Sequence, residues 1–191
     1  MVQAPARPLT LDAFLALPET KPASEFIDGK MIAKPMPQGK HSTIQRDLTM
    51  AVEMALKPER IGRAFPELRC SFGGRSVVPD ISVFISQHIP RNADGTIANQ
   101  FTTSPDWVIE ILSPAQSQTK VTKNILYCLK HGTQLGWLID PDEQTIFIHS
   151  LECPLRVFDM ESQDESKPLP VPRFANSVTL TTKSIMNWLL D

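Results

Sequence analysis

The chain has few cysteines, no long apolar run and no excess of basic charge. Its 191 residues include three cysteines, Cys70, Cys128 and Cys153, which are widely spaced and form no CxxC pair. This spacing predicts neither a disulfide framework nor a zinc site. No apolar run approaches the roughly 18 residues of a membrane-spanning helix, and the N-terminus has no signal-peptide pattern. We therefore expect a cytoplasmic protein with no membrane partner.

The counts of charged residues and glycines do not indicate a particular kind of ligand. Lysine and arginine total 19 against 21 aspartates and glutamates, which gives a net charge of −2. This balance argues against a generally basic nucleic-acid binder but allows a local basic cleft. The eight glycines are scattered and form no phosphate-cradling loop. At this length we expect residues 1–191 to form one domain with a sizeable core.

Hydrophobic periodicity and turn residues predict alternating helices and strands. Asp28-Gly29 lies between two short apolar runs, which is a strong hairpin signal. An apolar stripe predicts a helix over 41–56, and the polar segment 87–104 suits a mobile flap. Further helices are predicted over 10–17, 119–131 and from 182, and strands over 62–85, 105–114, 135–139, 145–149 and 156–158. This order predicts an α/β (α+β) fold in which helices flank a mixed β-sheet.

The segment 105–114, PDWVIEILSP, has the pattern of a central strand. One face would carry Trp107, Ile109 and Ile111, and the other Val108, Glu110 and Leu112. Both faces are apolar apart from Glu110, as in a strand that is covered on both sides. A buried carboxylate costs several kcal/mol unless a cation, a proton or hydrogen-bond donors compensate it. Because packing does not require Glu110, we interpret it as a candidate functional residue.

The segment 76–86, SVVPDISVFIS, contains a second acidic residue in apolar surroundings. Asp80 shares a predicted face with Val78 and Phe84, and Pro79 removes a ladder donor just before it, which predicts a bulge or a strand end. Two carboxylates on neighbouring buried strands would repel each other unless a divalent cation lay between them. The alternative is structural, with each carboxylate accepting hydrogen bonds from the backbone or from an arginine.

Polar residues on two predicted helices also allow two interpretations each. His41 lies in the first turn of its helix, where a histidine is either a capping or surface residue or a functional one. Lys120 and Lys123 fall on an arc nearly opposite Val121 and Leu129, which is typical of a solvated helix face. Lys120 follows directly on the connection that leaves the Glu110 strand, so its flexible ammonium could turn back toward that strand.

Several of these segments together resemble a known family. They are SEFIDGK (24–30), the His41 helix, VVPDISVF (77–84), PDWVIEILSP (105–114) and GWLIDP (136–141). This ordered set is similar to the Uma2 (DUF820) family of restriction-endonuclease-like proteins, abundant in cyanobacteria and placed within the PD-(D/E)XK nuclease superfamily. The resemblance covers roughly residues 10–150 and implies a nuclease-like core there. Residues 151–191 would then form an extension with one strand and one helix.

The resemblance also implies a divalent-metal site at the ends of two adjacent strands. Pro79-Asp80 matches the family's PD strand and Glu110 the acid of the next strand. Glu25 and His41 match an acidic residue in the early hairpin and a histidine at the following helix, as accessory residues. Where the superfamily has a lysine two positions after the second acid, this chain has Leu112. In the family that lysine comes from the following helix, so the resemblance implies Lys120 or Lys123.

The chemistry of DNA cleavage agrees with this set of residues. Hydrolysis of a phosphodiester needs a cation that neutralises developing charge and lowers the pKa of an attacking water. The hard oxygen ligands of Asp80, Glu110 and the backbone carbonyl of Ile111 suit Mg²⁺ or Mn²⁺. We therefore predict a metal-dependent DNA endonuclease, with duplex DNA as substrate and a symmetric homodimer as its assembly. The alternative is a nuclease-fold protein that has lost catalysis and acts as a DNA-binding or regulatory module.

Overall fold

The computed structural model describes residues 9–114 and 116–190. Its helices and strands are α1 (Leu11–Leu15), β1 (Ser24–Ile27), β2 (Lys30–Ala33), α2 (Gly39–Leu56), β3 (Gly62–Pro66), β4 (Cys70–Phe72), β5 (Arg75–Val77), β6 (Ile81–Ile85), β7 (Trp107–Ile111), α3 (Gln118–Lys130), β8 (Leu135–Asp140), β9 (Thr145–His149), β10 (Arg156–Asp159) and α4 (Thr182–Asn187). No helix in these two ranges is long and apolar enough to cross a membrane.

The strands form two sheets. The larger has six strands in the order β10-β9-β8-β7-β6-β3, and the smaller has four in the order β2-β1-β5-β4. In the larger sheet β7 and β8 pair in parallel, since α3 connects them as a crossover helix, while its other strand pairs are antiparallel. The predicted α+β fold with a mixed sheet flanked by helices is confirmed. The second, smaller sheet was not anticipated from the sequence.

The central strand β7 is buried along its whole length, as its sequence predicts. Trp107, Ile109 and Ile111 enter one core cluster. Val108 and Leu112 enter a second cluster on the opposite face. Side chains of β7 therefore alternate between the two core clusters, which lie on opposite faces of the larger sheet. By the same alternation, Glu110 lies on the face of the second cluster.

Helices cover these two faces in the places that their apolar stripes predict. Ile44, Leu48 and Val52 of α2 are fully buried in the first cluster. Val121 and Ile125 of α3 are buried in the second. Gly136 of β8 allows this packing, because a Cβ there would collide with the side chain of Ile125.

Local turn chemistry fixes the first hairpin. Asp28 and Gly29 both adopt positive φ, +50° and +80°, which is the conformation that a two-residue hairpin turn requires and that Asp-Gly favours. β1 and β2 pair on either side of it. Lys34 follows β2 directly, and its backbone N–H donates to the Ala23 carbonyl at 2.9 Å. The predicted hairpin is confirmed, and it delivers a lysine to the sheet edge.

The segment 87–104, interpreted from the sequence as a mobile flap, is mostly exposed but is anchored to the sheets at Phe101. Phe101 is buried, and its ring centroid lies 5.0 Å from that of Phe84 and 5.3 Å from that of Phe65. The Ser71 N–H donates to the Phe101 carbonyl at 2.9 Å. One aromatic side chain in a polar segment was too weak a signal to predict this anchor.

The C-terminal part of the chain contributes to the first core cluster. β10 forms the edge of the larger sheet. Leu180, Ile185 and Met186 are buried with the residues of α2 and β7. Thr181 caps α4 by accepting a hydrogen bond from the Ser184 N–H at 3.0 Å, and the Ser184 hydroxyl accepts one from the Thr181 N–H.

Candidate active site

Two buried carboxylates face each other across β6 and β7. The antiparallel register pairs Ile81 with Ile109, and one step further along the same register Asp80 stands opposite Glu110. Asp80 immediately precedes β6. Pro79, which has no N–H to donate to a neighbouring strand, is consistent with a strand end at this point. Asp80 is 3 % exposed and Glu110 is 5 % exposed. Both therefore lie in an environment where charge is costly without partners.

Asp80 accepts hydrogen bonds from three directions. The Ile111 N–H donates to its Oδ2 at 2.7 Å, and Nε2 of His41 lies 3.1 Å from the same oxygen. Nζ of Lys34 donates to Oδ1 at 2.6 Å. Burial alone would raise the pKa of Asp80, but Lys34 and His41 together outweigh it and hold that pKa well below its usual range. Asp80 is therefore ionised and fixed in position.

Lys34 is the cation between the two carboxylates. Its Nζ lies 2.6 Å from Asp80 Oδ1 and 4.0 Å from Glu110 Oε2, and it also donates to the Val78 carbonyl at 2.6 Å. The Lys34 side chain is 12 % exposed. Burial alone would lower its pKa, but Asp80 and Glu110 outweigh burial and raise it. The ammonium therefore stays charged and offsets part of the carboxylate charge.

Glu110 is less well compensated than Asp80. Its Oε2 accepts a long hydrogen bond from the Asp80 N–H at 3.4 Å, beside the Lys34 contact at 4.0 Å. Burial raises the pKa of Glu110 well above its ordinary value, and the neighbouring negative charge of Asp80 adds to this although Lys34 opposes it. The two carboxylates thus differ, because the surroundings favour the ionised form of Asp80 and disfavour the ionised form of Glu110.

Glu25 and His41, which the family resemblance proposed as accessory residues, both lie at this cluster. Glu25 of β1 accepts a hydrogen bond from the Val78 N–H at 2.8 Å. Burial raises the pKa of Glu25, and the Val78 hydrogen bond only partly offsets this. His41 comes from the first turn of α2 and is 5 % exposed. Its Nδ1 is buried without a hydrogen-bond partner in the described ranges.

The two helix lysines do not reach the carboxylates. Lys120 and Lys123 are exposed on α3, and neither makes a hydrogen bond or ion pair with Asp80 or Glu110 among the residues the structure describes. The apolar face of α3 packs on β7 and β8, so its lysines point away from them. The lysine that does contact Asp80 is Lys34, which the sequence did not single out. Lys34 was missed because it lies 46 positions from Asp80 and carries no motif of its own.

The carboxylate oxygens of this cluster are donors of the kind that a hard divalent cation prefers. Asp80, Glu110 and Glu25 offer carboxylate oxygens, and the Lys34 ammonium lies 2.6 Å from Asp80 and 4.0 Å from Glu110. As the side chains stand, no group of three or more His, Cys, Asp or Glu residues in the described ranges could hold a metal ion. Asp80 and Glu110 would thus be the two side-chain ligands, with Lys34 giving way. The Ile111 N–H donates to Asp80, and the role of the Ile111 carbonyl as a third ligand stays a prediction.

A family model and a solved structure both match this chain over most of its length. The family model Uma2, described as "Putative restriction endonuclease", matches residues 11–182. A crystal structure described as "a putative nuclease belonging to DUF820", from Anabaena variabilis ATCC 29413, is 60 % identical to this chain. The alignment covers 95 % of this chain and 99 % of that one, with a TM-score of 0.91. No curated protein matches the chain.

Proposed function

The chain belongs to the Uma2 family of nuclease-like proteins, and from this premise we propose that it is a metal-dependent endonuclease that hydrolyses phosphodiester bonds of DNA. The observation that carries the proposal is the meeting of Asp80 and Glu110, both buried, around a single ammonium. Packing alone gives no reason to bury two carboxylates side by side. A site that binds Mg²⁺ or Mn²⁺ does give one, because the cation supplies the missing positive charge.

Each residue of the cluster would have a separate role. Asp80 and Glu110, with the Ile111 carbonyl, would hold Mg²⁺ or Mn²⁺. When bound, such an ion neutralises charge on the scissile phosphate and lowers the pKa of the attacking water. Lys34 would shift from the carboxylates to the water or the phosphate, where its ammonium offsets developing negative charge. This role replaces the one that the sequence suggested for Lys120 or Lys123.

His41 and Glu25 would act on the metal ligands rather than on the substrate. His41 holds Oδ2 of Asp80, and this contact leaves Oδ1 facing Lys34. Glu25 fixes the Val78 N–H just before the Pro79-Asp80 turn. Both are therefore positioning residues, whose loss would loosen the geometry of Asp80.

Metal binding is expected to stabilise the folded protein. A ligand that binds only the folded state adds about 2.7 kcal/mol to the free energy of unfolding at a hundredfold excess over its Kd. The thermal midpoint should therefore rise with Mn²⁺ or Mg²⁺ in the parent but not in Asp80→Ala. Differential scanning calorimetry in EDTA and in each metal measures this. If Asp80→Ala gains as much from Mn²⁺ as the parent does, the metal is not bound at this site.

We also propose that the enzyme acts as a symmetric homodimer on duplex DNA. Each chain offers one Asp80–Glu110 cluster, whereas a duplex has two strands to cut, so two-fold symmetry would bring one site to each strand. The mass in solution, measured by sedimentation equilibrium with and without duplex DNA, tests this. A protein that remains monomeric on DNA would instead nick one strand at a time.

A further inference from the structure

A cavity of about 360 Å³ lies beside the carboxylate cluster. Two of the residues that line this cavity are close to Asp80. His41 contacts the Asp80 carboxylate. Leu112 directly follows Ile111, whose N–H donates a hydrogen bond to the same carboxylate. The volume is at the lower end of the range for small-ligand sites. The cavity therefore has room for a nucleotide-sized group next to the point where the scissile phosphate would lie.

An exposed ion pair stands at this cavity. Lys40 and Asp142 both line it, and Nζ of Lys40 donates to Oδ1 of Asp142 at 2.6 Å. The pair joins the start of α2 to the turn between β8 and β9. The two side chains are 58 % and 57 % exposed, so the pair is solvated and holds together weakly. Neither residue has another ion-pair partner in the described ranges. An incoming anion could thus exchange for Asp142 at little cost.

The start of α2 adds to the positive potential at the cavity. α2 begins at Gly39, its N-cap residue Gln38 makes no capping hydrogen bond, and its first turn holds no acidic residue. The first N–H groups of a helix lack partners within the helix and favour anions. His41 lies in the same turn, is 5 % exposed and has an Nδ1 without a partner in the described chain. Gly39, Lys40 and His41 all line the cavity, so the Lys40 ammonium and these N–H groups lie beside the same space.

We infer that Lys40 binds a backbone phosphate of the DNA strand, adjacent to the phosphate that is cleaved, and that Asp142 holds Lys40 in place while DNA is absent. The inference rests on the proposed function, because it takes DNA as the ligand of the neighbouring site. Lys40 thereby sets the register of the strand over Asp80 and Glu110. Asp142 competes with the phosphate for Lys40 and so weakens DNA binding.

The salt dependence of DNA binding tests this role. Each phosphate contact contributes about 0.9 to the slope of log K against log salt on B-DNA. Lys40→Ala should therefore lower that slope by about 1. The matched control is Lys57→Ala, an exposed lysine at the opposite end of α2, roughly 25 Å away at 1.5 Å per residue. It removes the same charge and should leave the slope of the parent unchanged. Fluorescence anisotropy with a labelled duplex in EDTA measures binding without cleavage.

A double-mutant cycle tests the part played by Asp142. Asp142→Asn should tighten DNA binding in the parent, since it frees Lys40, and should have little effect when Lys40 is already alanine. The inference is overturned if Lys40→Ala keeps the slope of the parent, if Lys57→Ala lowers it equally, or if Asp142→Asn acts alike in both backgrounds. It also fails if the parent binds no DNA. A protein that shows the Lys40 effect but never cuts DNA would refute the nuclease proposal alone.

Discussion

Replacing Lys34 by methionine should lower the rate of DNA cleavage at least about a hundredfold, the usual scale for the loss of one group that stabilises charge in the transition state. Methionine keeps the length of the side chain but removes the ammonium that now lies between Asp80 and Glu110. A plasmid-relaxation assay in Mg²⁺ or Mn²⁺ measures the rate. Metal binding should survive in the variant, since its carboxylate ligands are intact.

The helix lysines provide the controls for this prediction. Lys120→Ala and Lys123→Ala remove the same charge from exposed positions on α3 that make no contact with the carboxylates in the described structure. Both should cut at a rate close to that of the parent. If Lys34→Met cuts normally while one of these variants loses activity, the assignment to Lys34 is wrong and the helix lysine takes its place.

Asp80→Asn should lower the free energy of unfolding of the metal-free protein by about 3–5 kcal/mol, whereas Glu110→Gln should leave it unchanged or raise it. Removing Asp80 strands the buried Lys34 ammonium, and breaking a buried pair from one side costs on that scale. Glu110 differs because its raised pKa means that the ionised form is disfavoured in the fold. A glutamine there removes a repulsive charge and keeps the shape of the side chain.

Urea unfolding of the two variants in EDTA measures this difference. The parent and Lys34→Met are measured alongside them. Lys34→Met should also unfold more easily than the parent, because both carboxylates lose their ammonium partner. Adding Mn²⁺ should restore much of that loss in Lys34→Met, since the metal replaces the missing charge. Large and equal losses in Asp80→Asn and Glu110→Gln would instead indicate that both carboxylates serve only to hold the fold together.

Short-range patterns in the sequence predicted most of the fold. The alternation along 105–114 assigned each residue of β7 to the correct face, and Asp28-Gly29 located the hairpin that places Lys34. These features depend on neighbours in the chain and on the period of a strand. The smaller sheet could not be predicted, because β1 pairs with β5 from residues about fifty positions away, through the single register match Phe26–Ser76.

From the residues alone, the candidate site was predictable only where a side chain interrupts an apolar pattern, while the family resemblance added Glu25 and His41. Asp80 and Glu110 stand out because each interrupts an apolar strand face, and the structure brings them opposite each other. Lys34 leaves no such sign, since a lysine after an exposed edge strand is ordinary in any protein. The family resemblance pointed to a lysine in the helix after β7, whereas the lysine that contacts Asp80 lies directly after β2.

The most direct test of the account is cleavage of plasmid DNA by the purified parent and by Glu110→Gln, each in EDTA, Mg²⁺ and Mn²⁺. The account predicts that the parent cuts with either metal and not in EDTA. It also predicts that Glu110→Gln cuts at least about a hundredfold more slowly while unfolding at the same or a higher urea concentration than the parent. A parent that leaves DNA intact in both metals, or a Glu110→Gln variant that cuts at the rate of the parent, would contradict it.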